Sequence, residues 1–279
     1  MTRVIALPVS GRPVLIRALT GTEELLVLEA PDDDLALALT LMTHLARPIG
    51  DESAGGPDAW LQLTPTDLDF FLLRLRQLML GDRILSDVLC QATGCKARID
   101  VSFGIDQYLD HNLGARGQLR GRRWITESTD ERGWFRIKDS CPPAPESCAD
   151  AVFRLPTAAD LRDVATRRDA AAELTRRCIR IKEESPRLRR LAEAGMEAIA
   201  PNLSQDLQGQ CPACSAKIDI HFDPRHYCLR ELRDRAKFVY QDVDAIARRY
   251  HWRESDILAL PLMRRMHYAD AARLDGVNA

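Results

Sequence analysis

The stretch Gln210-Cys211-Pro212-Ala213-Cys214 decides how we interpret this chain, and Ser215-Ala216-Lys217-Ile218-Asp219-Ile220-His221-Phe222 follows it directly. Two cysteines in this spacing, on a turn that contains proline, can direct both sulfurs at one ion. The alternating apolar and polar residues after them are typical of a strand that leaves the turn. The stretch therefore predicts a cysteine knuckle, which supplies half of a tetrahedral zinc site.

A second copy of this pattern occurs earlier in the chain, where Cys90 and Cys95 precede a similar run of residues. When Cys95 is aligned with Cys214, the residues that follow the two cysteines match without a gap. The matched pairs are Ala97/Ala216, Arg98/Lys217, Ile99/Ile218, Asp100/Asp219, Val101/Ile220, Phe103/Phe222 and Tyr108/Tyr227. We interpret the match as an internal duplication of a cysteine turn and a strand.

The two knuckles together predict one structural zinc ion, bound by Cys90, Cys95, Cys211 and Cys214. A site made only of thiolates is closed, because the protein fills all four coordination positions and leaves none for a substrate. Such a site would fasten two chain segments that are far apart in sequence. The alternative is that the four cysteines are reduced and simply packed, since the turn from Cys90 to Cys95 is longer than the second one.

Other cysteines and histidines are weaker candidates for metal binding. His221 and His226 have no histidine counterpart in the first repeat, so we favour surface or core roles for both. Four further cysteines remain to be placed: Cys141, Cys148, Cys178 and Cys228. The first two could pair, although a Pro-rich spacer is an uncommon ligand loop, and the last two are interpreted as buried single thiols.

Composition excludes some classes of protein. The chain has 279 residues, a net charge of −2 and 29% charged residues, which is ordinary for a soluble protein. No apolar run is long enough to cross a membrane. The first residues reach Pro8 and Gly11 too early for a secretory signal, so we expect a cytoplasmic protein. Cysteines are mostly reduced in that compartment, and paired cysteines there favour metal over disulfide.

The pattern of apolar residues predicts an α+β fold with two related lobes, each containing helices and a cysteine turn with a short strand pair. We expect an N-terminal lobe at 1–112, an insertion at 113–150 and a C-terminal lobe at 151–279. Helices are predicted at 32–45 and 66–80, and helical sequence continues from 158 to 199. A single helix is predicted from 224 to 250.

Enzyme signatures are missing from the sequence. It contains no Gly-rich phosphate loop, no nucleophile elbow and no H-E-x-x-H motif. The acidic run from Asp32 to Asp34 is explained by a helix N-terminus. The cluster from Arg116 to Arg123 could touch phosphate, but the overall charge favours a solvated or protein-binding loop, so nucleic acid is not the expected partner.

Three segments resemble T4-type bacteriophage baseplate proteins and the related proteins of phage-like contractile injection systems. They are residues 7–24, residues 69–81 with a Leu-Leu-x-Leu-Arg helix that ends in Leu-Gly, and the tail at 243–268. The tail contains Arg-Arg-Tyr-His-Trp followed by Ser-Asp-Ile-Leu-Ala-Leu-Pro. The first knuckle of that family is usually C-x2-C, from which the turn between Cys90 and Cys95 departs.

The resemblance implies a non-enzymatic baseplate hub component or assembly chaperone, with other baseplate, hub or tail-tube proteins as partners. The protein would act in the cytoplasm or become part of a phage-like particle. Aromatic side chains often carry interface energy. On that basis the expected exposed contact residues are Trp124, Trp134 and Phe135 in the insertion, with Tyr250, Trp252 and Tyr268 near the C-terminus.

Two other functions stay open at this point. The first is a nucleic-acid-binding regulator of the zinc-ribbon type, which would use the cluster from Arg116 to Arg123. A salt-dependent shift of DNA or RNA would favour it. The second is a metal-dependent hydrolase, which would need an open site with a histidine or carboxylate ligand.

Overall fold

The structure is a computed structural model that describes residues 1–50, 56–114, 124–128, 131–137, 151–182 and 185–277. Its strands are β1 (Thr2–Ala6), β2 (Pro13–Arg17), β3 (Ala46–Pro48), β4 (Arg83–Leu89), β5 (Arg98–Gly104), β6 (Ile125–Glu127), β7 (Trp134–Ile137), β8 (Ala151–Arg154), β9 (Ile179–Ile181), β10 (Gln205–Gln210) and β11 (Lys217–Phe222). The predicted α+β class is confirmed.

The helices are of very different lengths and lie in every part of the chain. They are α1 (Gly21–Glu29), α2 (Asp34–Leu45), α3 (Pro57–Trp60), α4 (Pro65–Leu80), α5 (Ile105–Leu113), α6 (Ala158–Val164), α7 (Ala170–Cys178), α8 (Pro186–Ile199), α9 (Pro224–Ala236), α10 (Val239–Tyr250), α11 (Glu254–Leu258) and α12 (Leu262–Val277). Among the described residues, none of these helices combines the length and apolar character needed to cross a bilayer.

Local sequence explains where the two longest helices of residues 1–112 begin. Asp33 caps α2, because its carboxylate accepts a hydrogen bond from the Ala36 N–H at 2.9 Å. Thr64 caps α4 in the same way through the Asp67 N–H, and Pro65 fits the first turn. Gly81 follows α4 with a positive φ of 85°, which a glycine adopts without strain. Both helices therefore lie close to their predicted bounds.

Four small sheets carry the strands. β1, β2 and β3 form one antiparallel sheet, and β6, β7, β8 and β9 form another. The other two sheets are hairpins of two strands each, β4 with β5 and β10 with β11. Each hairpin carries one cysteine knuckle at its tip, and each is followed directly by a helix, α5 or α9. The predicted duplication therefore corresponds to two hairpin–helix units.

Both hairpin–helix units contribute to one hydrophobic core. Helix α4 lies at its centre with Phe71, Leu72 and Leu73 fully buried, and α9 packs beside it through Leu229 and Leu232. Buried side chains from Ile5 to Ala236 thus belong to one cluster. Burial of this apolar surface is the largest stabilising term for the arrangement.

The middle of the chain has a core of its own. Ile137, Phe153 and Ile179 come from three strands of the four-stranded sheet, and α8 covers them through Leu188 and Ala192. The predicted boundary at residue 150 lies between β7 and β8, which are hydrogen-bonded neighbours in this sheet. The sheet therefore spans that boundary.

Two predictions of long helical segments are wrong. The segment from 158 to 199 is interrupted by β9, whose Ile179 and Ile181 pair with β8 and alternate with exposed Arg180. The helix predicted from 224 to 250 is divided into α9 and α10. No glycine or proline separates these two helices, so tertiary packing causes the break: α9 packs on α1 and α4, whereas α10 packs on α12.

The Arg154–Asp160 ion pair connects β8 to the start of α6. The Asp160 carboxylate accepts hydrogen bonds from Arg154 at 2.6 and 2.8 Å and from the Thr157 N–H at 3.0 Å. Burial raises the pKa of Asp160, but these hydrogen bonds and the Arg154 charge outweigh it and lower the pKa to about 2. The folded state therefore favours the ionised carboxylate.

We expect this pair to make the protein sensitive to acid. Because the pKa of Asp160 is lowered on folding, its stabilising contribution is present above about pH 4 and is lost as the pH falls toward 2. The contribution is about 2 kcal/mol. Urea unfolding measured between pH 2 and pH 6 should show this loss in the wild type. If Asp160→Asn retains the same pH dependence between pH 2 and 4, the assignment to Asp160 is wrong.

Candidate metal centre

The structure brings the four predicted cysteines together at the tips of the two hairpins. The sulfurs of Cys90 and Cys214 are 3.7 Å apart, and those of Cys95 and Cys211 are 3.8 Å apart. All four sulfurs lie within 4.8 Å of one another. A tetrahedron of thiolates around a metal at about 2.3 Å places neighbouring sulfurs about 3.8 Å apart. The cluster thus has the dimensions of a four-thiolate metal site.

The two knuckles share their backbone geometry. The Cys90 N–H donates to the Ala97 carbonyl at 2.8 Å, and the Cys211 N–H donates to the Ala216 carbonyl at 2.9 Å. These two alanines are partners in the sequence alignment. The residue after the second cysteine has a positive φ in both knuckles, 50° at Lys96 and 60° at Ser215. This left-handed residue turns the chain into the outgoing strand.

An approximate two-fold relation connects the two knuckles. The first cysteine of each repeat lies nearest the second cysteine of the other, because Cys90 faces Cys214 and Cys95 faces Cys211. Exchanging the two repeats leaves this pairing unchanged. The paired cysteines are separated by 124 and 116 residues in sequence. A metal bound here would therefore close a long loop.

Aromatic side chains at the base of the hairpins repeat this relation. The rings of the aligned residues Phe103 and Phe222 are 5.1 Å apart in an edge-to-face arrangement. Tyr108 contacts Phe222, and its hydroxyl donates to the Leu203 carbonyl of the second repeat. Tyr227 is its aligned partner and donates to a carbonyl of β4 at 2.8 Å. Each tyrosine therefore bonds the opposite repeat, and such aromatic contacts stabilise the joined hairpins.

Backbone N–H groups of the second knuckle favour a thiolate. Burial raises the pKa of Cys211, but hydrogen bonds from the N–H groups of Ala213 and Cys214 and from the thiols of Cys214 and Cys90 outweigh it and bring the pKa to about 7. At Cys214 the Ala216 N–H lowers the pKa, but contacts with the other thiols outweigh it and raise the pKa, and the pKa of Cys90 is raised as well. A thiolate is the form of cysteine that binds metal. The backbone N–H groups of the turn therefore stabilise the thiolate of Cys211, which is the form that binds a metal ion.

The two histidines are placed away from the sulfur cluster. His221 bonds the Asp206 carboxylate of the second hairpin at 2.8 Å and the hydroxyl of Ser204, just before that hairpin, at 3.0 Å. His226 bonds Asp34 of α2 at 3.0 Å. The four-cysteine group is the one cluster of metal-binding side chains in the described parts of the chain.

The remaining cysteines divide into two sets. Cys178 and Cys228 are fully buried, as predicted. Burial raises the pKa of Cys178 to about 11 and raises that of Cys228 further, so both thiols stay protonated. Cys141 and Cys148 lie outside the described residues, as does the cluster from Arg116 to Arg123.

The aromatic residues of the insertion are less exposed than predicted. The expectation that Trp134 is exposed is wrong: only 5% of it is accessible. Trp134 is on β7, an inner strand of the four-stranded sheet, and the Arg180 guanidinium covers its ring at 3.7 Å from the ring centre. Phe135 is half-buried and stacks on Phe153 at 5.6 Å. Trp124 is half-buried against the same core.

The three aromatic residues near the C-terminus pack on one another. The ring centres of Tyr250, Trp252 and Tyr268 are separated by 5.0 to 5.8 Å. All three are half-buried around Ile246 and Ile257. Part of each ring remains accessible, so their predicted role in partner binding stays a prediction.

Comparison with known proteins adds no assignment. No family model matches the chain, and no curated protein or solved structure matches it significantly. The geometry of the four sulfurs therefore carries the functional argument.

Proposed function

We propose that Cys90, Cys95, Cys211 and Cys214 bind one zinc ion that fastens the two hairpins together. Four thiolates at tetrahedral spacing are the usual ligands of structural zinc. Because all four positions are filled by sulfur, such a site offers no place for a substrate or an activated water. The convergence of four thiols, with no histidine or carboxylate of the described residues in the cluster, is the observation that supports a structural ion over a catalytic one.

We further propose that the zinc-bound chain is a non-enzymatic component or assembly chaperone of a baseplate hub, in a contractile phage tail or a phage-like injection system. The resemblance of residues 7–24, 69–81 and 243–268 to baseplate proteins supports this role. A closed metal site agrees with a protein that binds other subunits. Its partners would be baseplate, hub or tail-tube proteins, met in the cytoplasm or in the assembled particle.

Co-expression tests the proposal. The tagged chain would be produced with the hub and tail-tube proteins encoded nearest to it and analysed by size-exclusion chromatography with light scattering. We expect a complex of defined stoichiometry with at least one of them. The absence of sheath, tube and spike genes nearby, together with no complex, would contradict the baseplate role.

The same preparation distinguishes the alternative of a nucleic-acid-binding regulator. In that case micromolar protein would shift DNA or RNA, and the shift would weaken steeply with added salt. We expect no such shift, because the net charge of the chain is −2. A salt-dependent shift without a protein complex would replace the baseplate proposal with the regulator.

A further inference from the structure

Strand β4 has an unpaired edge. Within the described residues it pairs with β5 on one side and with no strand on the other. Proteins usually protect such an edge with charges, proline or a short strand. β4 carries Arg83 and Asp87, but it is seven residues long, and four of these are aliphatic: Ile84, Leu85, Val88 and Leu89. The two leucines are 65% and 58% exposed, so this edge resembles a surface that another strand covers.

The strand register shows which backbone groups face the free edge. The Cys90 N–H donates to the Ala97 carbonyl, just before β5. Every second residue of β4 therefore hydrogen-bonds to β5, and the N–H and C=O groups of the residues between them point to the free edge. Leu85, Asp87 and Leu89 are among those that point away. The Leu85 carbonyl accepts a hydrogen bond from Tyr227, which agrees with this alternation and blocks that end. The N–H and C=O groups of Asp87 and Leu89 are left for an added strand.

A groove of about 450 Å³ runs beside this edge. Aliphatic side chains from both repeats line it: Ile84, Val88, Val101, Leu207 and Ile220. Three consecutive residues of β4, from Ser86 to Val88, also border it. Because side chains alternate along a strand, three residues in a row mean that the edge of β4 itself faces the groove. An added strand would therefore place apolar side chains in it.

The second repeat shows that the hairpin does not require an aliphatic edge. Strand β10 is the counterpart of β4, and its Asp206, Gln208 and Gln210 occupy the positions of Leu85, Asp87 and Leu89. The two leucines of β4 are therefore replaced by polar residues in β10. Both hairpins form the same turn and the same half of the sulfur cluster. The exposed leucines of β4 are therefore not explained by folding or by metal binding.

Charges beside the edge indicate the kind of strand that binds. The Arg83 guanidinium, at the start of β4, bonds the Ser102 hydroxyl at 2.8 Å. Arg230 borders the groove and lies over the Tyr227 ring at 5.5 Å. Neither guanidinium has a carboxylate partner among the described residues. Asp87 and Asp223 also border the groove, but Asp87 pairs with Arg98 and Asp223 caps α9. A segment with a carboxylate would pair with the two guanidiniums, whereas a second copy of β4 would bring another Arg83 and an Asp87 that is already paired.

We propose that β4 binds an extended segment of a partner protein by strand addition along Asp87 and Leu89. The segment is rich in aliphatic residues and carries a carboxylate close to Arg230. Backbone hydrogen bonds supply affinity in this mode, and side-chain pockets supply specificity. The inference depends on β4 and its groove, so it holds or fails independently of the baseplate role.

Asp87→Pro tests the free edge with little effect on the hairpin. Asp87 makes no backbone hydrogen bond to β5, so proline removes only the N–H that faces outward and places its ring there. The lost Asp87–Arg98 ion pair joins side chains that are 45% and 70% exposed, so its stabilising effect is small. Gln208→Pro is the matched control, because it makes the same change at the aligned position of β10.

The probe is a fluorescein-labelled, capped peptide of sequence Glu-Val-Thr-Ile-Val-Thr, measured by fluorescence anisotropy with the zinc-loaded full chain. We expect saturable binding to the wild type and to Gln208→Pro, and binding at least about tenfold weaker to Asp87→Pro. Equal binding by Asp87→Pro, or no saturation of the wild type up to about 1 mM protein, would overturn the proposal.

Amide resonances give a second readout that needs no variant. Added peptide should shift the Asp87 and Leu89 amides of the wild type and leave the Gln208 amide in place. This result decides the question if Asp87→Pro fails to fold. Shifts confined to other strands would overturn the proposal. A concentration-dependent dimer that Leu89→Lys abolishes would assign the edge to a second copy and overturn it as well.

Discussion

Replacing Cys211 with serine is expected to release the bound zinc and to lower the free energy of unfolding by about 5 kcal/mol. The reason is the length of chain that the ion closes. The paired sulfurs are 116 and 124 residues apart in sequence, and a cross-link over a loop of this length is worth about 5 kcal/mol. Most single domains are stable by only about 5–15 kcal/mol. The variant should therefore be close to unfolding.

Thermal unfolding and metal analysis would be measured on the same samples. The midpoint of Cys211→Ser should fall by at least about 10 °C, and a strong chelator should lower the wild-type midpoint similarly. Cys178→Ala is the matched control, because it removes a buried thiol at the end of α7 that is not part of the four-cysteine cluster. It should keep one zinc and lose only about 1 kcal/mol. Equal losses in both variants would refute the role of the ion.

Replacing Arg265 with alanine is expected to destabilise the protein by about 3–5 kcal/mol. Arg265 is on α12 and is 1% exposed. Its guanidinium pairs with Glu24 of α1 and lies 3.4 Å from Asp242 of α10. Both carboxylates are also buried, so removing the guanidinium leaves negative charge in the interior without its main partner. The cost comes from that charge more than from the lost pair.

Arg265 lies in close contact with the start of α1. A Cβ atom at Gly21 would lie 2.7 Å from the Arg265 Nη1 atom and 2.9 Å from the Leu258 backbone, so the glycine permits this close approach. Arg273→Ala is the control for the network, because Arg273 pairs with Asp242 at 2.6 Å but is 42% exposed. We expect it to cost less than about 1 kcal/mol in urea unfolding. A comparable loss for the two variants would contradict this account.

The cysteine hairpins could be predicted from sequence because their signal is local. The spacing of Cys211 and Cys214 determines a turn, and matched residues such as Phe103 and Phe222 identify the second copy. The alignment predicts that matched residues have the same position within each hairpin. It does not predict that Phe103 and Phe222 contact each other, because that contact depends on how the two repeats pack.

Other features depend on tertiary contacts that sequence patterns do not contain. The break between α9 and α10 has no glycine or proline to mark it, because packing on different helices produces it. The burial of Trp134 depends on Arg180, which reaches it from β9, a strand within a segment that was predicted to be helical. The free edge of β4 is likewise invisible until the order of strands is known.

The central claim is that one ion joins the two repeats through four sulfurs. X-ray absorption at the zinc edge, on protein purified without added metal, tests it most directly. We predict one zinc per chain with a first shell of four sulfur atoms at about 2.3 Å. A shell that contains nitrogen or oxygen, or protein that folds fully with no metal bound, would contradict the claim.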